Sequence, residues 1–137
     1  MGEVREDVAA DLDAELAAIV AAPLELVLEG AGSFGEGRDF RAVWAGVAAD
    51  PALNSLASRC EAAARRAGLK KEGRPYRPHV TLAYLPRSAD AGQVARWIAD
   101  NALLRSPPFR VTWFGLWSST LRPGGSLYEL QREYPLA

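Results

Sequence analysis

The sequence has 137 residues, of which 49% are hydrophobic and 24% charged, with a formal net charge of −1. These values predict one folded domain and exclude a wholly disordered chain or one with a broad basic surface for nucleic acid or membrane. One cysteine, Cys60, and one histidine, His79, exclude an internal disulfide and a zinc-type cluster of such ligands. We therefore expect no metal, no cofactor and no membrane segment, and a reducing cytoplasm as the compartment.

The first half of the chain predicts a helix, two strands and a second helix. Apolar residues recur at helical spacing from Val4 to Ile19, and Pro23 ends the pattern. The stretch "LELVLE" (24–29) alternates like a strand, "GAGSFGEGRDF" (30–40) reads as a loop, and "RAVWAGVAA" (41–49) as a second strand. Asp50 and Pro51 suit the start of a helix, and Gly68 suits its end.

The second half predicts a strand, a third helix and a hairpin. The expected bounds are a strand over 79–85, a helix over 88–103, a strand over 107–119, a turn over 120–126 and its partner strand over 127–136. The order α, β, β, α, β, α, β, β indicates an α+β domain, residues 1–137, with a largely antiparallel sheet system.

Three features favour structural roles over functional ones. Gly30, Gly32 and Gly35 spell G-x-G-x-x-G, but a second strand follows them where a dinucleotide site needs a helix. Cys60 lies on the apolar stripe of the second helix and reads as a packed thiol. The four tryptophans (44, 97, 113 and 117) fall at positions that predict core aromatics, with Trp44 and Trp117 as the alternatives for base stacking.

The stretch "RPYRPHVTLAYL" (74–85) carries the strongest chemical signal. In a strand His79 and Thr81 share one face, while Val80, Leu82 and Tyr84 point to the other, which we expect to meet the core. An imidazole moves a proton and a neighbouring hydroxyl donates to an anionic oxygen, so the pair suits phosphate chemistry. Spacing alone leaves open a core histidine beside a structural threonine.

This stretch resembles the second signature, P-H-[VI]-T-L, of the two-histidine (2H) phosphoesterase superfamily. Within it, the chain is similar to the bacterial 2′-5′ RNA ligase and RNA 2′,3′-cyclic phosphodiesterase group. The similarity extends to "LELVLEGAGSFGEGRDFRAVWAGV" (24–47) and to "FGLWSSTLRPGGSLYELQREYPL" (114–136). The resemblance implies a bilobed α+β fold, with antiparallel sheets lining a cleft and helices outside.

The resemblance also implies a reaction. In this family one imidazole activates water against a 2′,3′-cyclic phosphate, a second protonates the departing ribose oxygen, and hydroxyls hold the phosphate without a metal. His79 and Thr81 would be the catalytic residues. Arg77, Arg74 and Tyr84 would contact the substrate, an RNA end or a nucleotide 2′,3′-cyclic phosphate, although many relatives carry arginine at the position of Tyr84.

One part of the family pattern has no counterpart in the sequence. Members carry a first H-x-[TS] motif on an N-terminal strand–helix–strand segment, whereas His79 is the one histidine here. We therefore expect that this segment is missing before Met1, that activity is weak or absent without it, and that exposed strand edges promote self-association. Two alternatives stay open: a non-catalytic RNA-end or nucleotide-binding protein, and a structural protein whose missing strands come from a second copy.

Overall fold

A computed structural model describes residues 4–35, 42–71, 73–123 and 125–137. It contains three helices and seven strands. In chain order they are α1 (Glu6–Ala17), β1 (Leu24–Leu26), β2 (Leu28–Phe34), β3 (Ala42–Val47), α2 (Pro51–Arg66), β4 (His79–Tyr84), α3 (Ala91–Asp100), β5 (Phe109–Val111), β6 (Trp113–Arg122) and β7 (Gly125–Pro135). The predicted α+β class is confirmed, and the elements follow the predicted order except that two of the predicted strands are each divided into two.

The chain divides into two compact units. The first comprises Met1–Leu24, Pro51–Pro75 and Arg110–Ala137, and the second comprises Glu25–Asp50 and Tyr76–Phe109. The short strands β1 and β5 pair with each other, β2, β3 and β4 form one sheet in that order, and β6 pairs with β7. Neighbouring strands of the β2–β3–β4 sheet and of the β6–β7 sheet are antiparallel, as predicted.

The core of the first unit forms between α1, α2 and the β6–β7 hairpin. Leu12 and Leu16 of α1, Ala63 of α2, Ala67 and Tyr134 are buried together. The apolar stripe predicted for α2 is confirmed, because Leu56, Ala63 and Ala67 are its buried positions. Gly68 follows with a φ of 103°, the left-handed geometry that ends many helices. Cys60 packs against this core, and burial raises the pKa of its thiol, as expected of an inert cysteine.

Several predicted bounds were wrong. The predicted strand 107–119 is divided at Thr112 into β5 and β6, and the third helix is Ala91–Asp100, shorter than the predicted 88–103. Two further differences concern the first strand and the last turn. The chain breaks at Val27, so "LELVLE" is divided between β1 and β2, and β2 runs on through Phe34 into the predicted loop, whose last residues lie outside the described part. The turn predicted over 120–126 is shorter, because β6 extends to Arg122 and β7 begins at Gly125. Glycine and serine have low strand propensity, so cross-strand pairing overrides the local preference in both places.

Two predictions about burial were also wrong. Val80, Leu82 and Tyr84 were expected in the core but are 42%, 53% and 66% exposed. Trp113 and Trp117 are exposed as well, although core positions were predicted for them. Alternation shows which residues share a face, but it does not show which face the rest of the chain covers.

Two features are absent from the described part of the chain. None of its helices is long and apolar enough to cross a membrane. Within the same residues, no group of three or more histidine, cysteine, aspartate or glutamate side chains is arranged to hold a metal ion.

Candidate active site

Strand β4 begins at His79, and backbone contacts with β3 hold the chain just before this residue and along the strand after it. Val47 of β3 donates its backbone N–H to the carbonyl oxygen of Pro78, at 3.2 Å. His79 lies opposite Gly46 in the antiparallel register, and Thr81 lies opposite Trp44. Directly opposed residues share a face of a sheet, and residues two apart on β3 do also. The predicted placement of His79 and Thr81 on one face is therefore supported by the register.

The His79 ring is exposed and has one defined hydrogen bond. Its Nδ1 lies 2.7 Å from the carbonyl oxygen of Arg77. A carbonyl oxygen only accepts, so in this bond Nδ1 carries the proton and donates it. The neutral imidazole then has its lone pair at Nε2. The residue is exposed, which differs from an enclosed core histidine, whereas a fixed bond to the main chain also fits a structural role for the ring.

A change of register at Leu82 alters the position of Tyr84. Thr81 pairs with Trp44, but Ala83 pairs with Val43 and Tyr84 with Ala42, so Leu82 is an extra residue in β4. Such a bulge reverses the alternation beyond it. Ala42 and Trp44 share a face of β3, and Tyr84 therefore returns to the face that carries Thr81. Simple counting from His79 assigned it to the opposite face.

Two aromatic side chains lie beside His79: Phe34, which was predicted in a loop, and Trp44, which was predicted in the core or, alternatively, as a base-stacking residue. The ring centroid of Phe34 is 4.7 Å from that of His79, with the ring planes at 80°, and the Trp44 centroid is 6.0 Å away. Phe34 and Trp44 also contact each other, with centroids 5.7 Å apart. The signal for Phe34 was the period-two series Gly30, Gly32, Phe34, which the glycines disguised as a loop.

The literal glycine motif belongs to this sheet and not to a nucleotide-binding turn. Gly30 and Gly32 lie inside β2, which pairs antiparallel with β3. A Cβ on Gly32 would overlap the Trp44 indole, and one on Gly46 would overlap the carbonyl oxygen of Glu29. The glycines therefore make room for the indole and for close strand approach. No helix opens after them, in agreement with the rejection of a dinucleotide site, but Gly30 and Gly32 lie in a strand and not in the predicted loop.

The predicted arginines lie near the start of β4 in the sequence but have different roles in the described contacts. Arg77 supplies the carbonyl that binds His79, and its side chain is exposed. Arg74 is exposed and belongs to the first unit. Among the ion pairs of the described residues, none includes either guanidinium. Their contact with substrate stays a prediction.

Comparisons with known proteins show the family of the chain. The sequence profile of the 2′-5′ RNA ligase superfamily matches residues 2–122. An RNA 2′,3′-cyclic phosphodiesterase of Geobacillus stearothermophilus is 38% identical over 85 residues, which are 61% of this chain and 27% of that relative's length.

Solved structures give the same result for the fold. A crystal structure described as a phosphoesterase superposes with a TM-score of 0.72 at 25% identity, over 99% of this chain and 72% of that one. The crystal structure of LigT from E. coli complexed with 3′-AMP gives a TM-score of 0.71 at 26% identity, with the same coverage of both chains.

Proposed function

The chain belongs to the 2′-5′ RNA ligase superfamily, and on that basis we propose that it acts on RNA or nucleotide 2′,3′-cyclic phosphate ends, with His79 and Thr81 as one half of a phosphodiesterase site. The observation that carries this proposal is the orientation of His79. The imidazole is exposed, Nδ1 donates to the Arg77 carbonyl, and Nε2 is left for proton transfer on the face that carries Thr81.

In hydrolysis of a cyclic phosphate, the oxygen of water bonds to phosphorus and the bond from phosphorus to one ribose oxygen breaks. The water loses a proton to a base, and the departing oxygen gains one from an acid. His79 would take one of these two roles. As a neutral imidazole it would accept the proton of the water at Nε2, and as an imidazolium it would instead donate a proton from Nε2 to the departing oxygen. The partner in this pair is a group other than histidine within the sequence, or it lies outside the sequence.

Thr81 and the arginines are proposed to bind the phosphate. The Thr81 hydroxyl would donate to a non-bridging oxygen beside His79, where charge develops during the reaction. The Arg77 and Arg74 guanidinium groups would attract the anion, and Tyr84 would contact the substrate from the same sheet face as Thr81. The complex of E. coli LigT with 3′-AMP supports a nucleotide monophosphate as ligand or product.

The test is hydrolysis of an RNA oligonucleotide that ends in a 2′,3′-cyclic phosphate, followed by 31P NMR. We expect weak turnover by the chain, because the first motif has no counterpart in the sequence, and a further loss of up to about 10²- to 10⁴-fold in His79→Asn, the range for one general acid or base. Asparagine is chosen because its amide nitrogen is placed to donate to the Arg77 carbonyl but has no counterpart of Nε2. Unchanged turnover in this variant would contradict the assignment of His79.

The non-catalytic alternative gives a different result in a parallel measurement. Calorimetric titration with 3′-AMP would then show binding that Thr81→Val weakens, without any hydrolysis of the cyclic phosphate. The absence of both binding and hydrolysis would exclude both functions for this site.

We also propose that the chain self-associates through the β6–β7 hairpin. This hairpin exposes Trp113, Trp117, Leu121 and Tyr128, with 86% of the Leu121 surface accessible. In the described residues each of its strands pairs only with the other. Unpaired edges beside an apolar face favour contact with another chain.

A further inference from the structure

The aromatic cluster around His79 contains two side chains to which the proposed reaction gives no role. We infer that Phe34 and Trp44 are positioning residues, which hold the His79 imidazole in the orientation that directs Nε2 outward. The expected effect on turnover rests on the proposed function, whereas the restraint on the imidazole ring does not depend on it.

An exposed histidine needs several contacts to keep one orientation. The bond from Nδ1 to the Arg77 carbonyl restrains one edge of the ring, yet rotation about that bond stays open. Phe34 meets the ring at 4.7 Å in an edge-to-face arrangement, the geometry that aromatic pairs prefer. The hydrogen bond and the aromatic contact together restrain both the direction of the ring and its plane.

Trp44 supports this contact from the middle strand. Its indole lies above Gly32, and a Cβ at Gly46 would stand 3.5 Å from the ring, which is ordinary contact. The indole therefore covers two adjacent glycine positions and contacts both Phe34 and His79. Its Nε1 is buried without a hydrogen-bond partner among the described residues. A buried donor left unpaired costs free energy, so a packing role explains the position of this indole better than a polar one.

The glycines provide a way to move the indole without changing any aromatic residue. Gly32→Ala would place a methyl group where the Trp44 ring lies, so the ring must shift, and Phe34 and His79 would lose contact with it. A displacement of about 1 Å in a catalytic group lowers turnover by roughly 10²-fold. We therefore expect Gly32→Ala to affect His79 although the new methyl group is not beside it.

The matched controls come from elsewhere in the chain. Gly73 has open space around the position of a Cβ, so Gly73→Ala tests the effect of an alanine alone. Phe109 is 39% exposed, close to the 36% of Phe34, and Phe109→Leu tests the loss of an exposed ring. Phe34→Tyr retains a ring and serves as the conservative replacement for Phe34→Leu.

The experiment combines NMR with kinetics. His79 is the one histidine, so a long-range 1H–15N spectrum reports its two ring nitrogens without ambiguity. In the unaltered chain with a neutral ring we expect the tautomer with the proton on Nδ1. Phe34→Leu and Gly32→Ala should give mixed tautomers and lower kcat by roughly 10- to 100-fold with KM within about threefold. Phe34→Tyr and both controls should match the unaltered chain.

The two readouts separate this inference from the proposed function. If the unaltered chain hydrolyses no cyclic phosphate, the proposed function fails, and the imidazole spectrum still decides the inference. Imidazole resonances and kcat that are unchanged in both Phe34→Leu and Gly32→Ala would overturn it. Amide spectra identify a variant that fails to fold, and Phe34→Leu then decides in place of Gly32→Ala. Should neither variant fold, unchanged imidazole resonances in Trp44→Phe would overturn it.

Discussion

The Nδ1 atom of His79 donates to the carbonyl oxygen of Arg77, two residues earlier, at 2.7 Å. The bond uses the main chain of Arg77, so it survives replacement of that side chain. It selects the tautomer whose Nε2 accepts a proton, and it leaves the guanidinium available for another role. One residue thereby orients the imidazole through its backbone and is proposed to bind phosphate through its side chain.

The Thr81 hydroxyl is expected to contribute less than His79. Thr81→Val keeps the shape of the side chain and removes the donor, whereas Thr81→Ser keeps the donor. Because a hydrogen bond to a charged group contributes about 1.5–3 kcal/mol, Thr81→Val should lower kcat/KM by roughly 10- to 100-fold. Thr81→Ser should recover most of that loss. Equal rates for the two variants, measured on the cyclic phosphate substrate, would remove the hydroxyl from the site.

The Arg77 guanidinium is expected to bind the phosphate of a nucleotide. Arg77→Ala should weaken 3′-AMP binding by roughly 3- to 10-fold, and the difference should shrink as salt is added, because exposed charges are screened. Arg74→Ala should act in the same direction. Arg96→Ala, which removes an exposed arginine from α3, is the control. Affinities for 3′-AMP would be measured by calorimetry at two salt concentrations. Equal affinities of Arg77→Ala and Arg96→Ala at both concentrations would contradict this role.

Tyr134 is expected to stabilise the first unit in a way that depends on pH. Burial, and then the bond to the Asp13 carboxylate at 2.6 Å, raise the pKa of the Tyr134 phenol well above its usual range. A raised pKa means that the folded chain holds this proton more tightly than the unfolded chain. The stabilisation is therefore complete below the ordinary tyrosine pKa of about 10 and is lost as pH rises from there toward the folded pKa.

Urea unfolding of Tyr134→Phe provides the measurement. At pH 8 the variant should lose about 1 kcal/mol of the free energy of unfolding, since the hydrogen bond is removed and the ring is kept. Above pH 10 the difference between the unaltered chain and the variant should narrow. A difference that stays constant from pH 8 to pH 11 would contradict the linkage.

Self-association is expected to depend on the apolar face of the β6–β7 hairpin. Leu121→Lys should lower the average mass at high concentration, because a charge resists burial against a second chain. Leu103→Lys is the matched control, since Leu103 is also nearly fully exposed but lies outside the hairpin. Light scattering over a concentration series checks both. A mass equal to one chain for the unaltered protein at all concentrations would contradict the proposal.

Much of the fold follows from local patterns in the sequence. Helical spacing of apolar residues predicted α1 and α2, and Gly68 marked the end of α2, because a helix stripe and a left-handed glycine depend on near neighbours. The stretch "RPYRPHVTLAYL" predicted the strand and its two reactive side chains, and family resemblance added the reaction. Three features were not predicted, because each depends on residues distant in sequence: the length of β2, the position of Phe34 and the exposure of Trp117.

Two features of the site were decided only by tertiary structure. The extra residue Leu82 turns Tyr84 to the face of Thr81, and a bulge arises from pairing with β3 and has no signature in the β4 sequence alone. The contact of Phe34 with His79 joins side chains 45 positions apart, through two strand pairings and a middle strand. The sequence by itself determined which chemical groups the site has. Cross-strand register determined which of them meet, because register depends on pairing between distant segments.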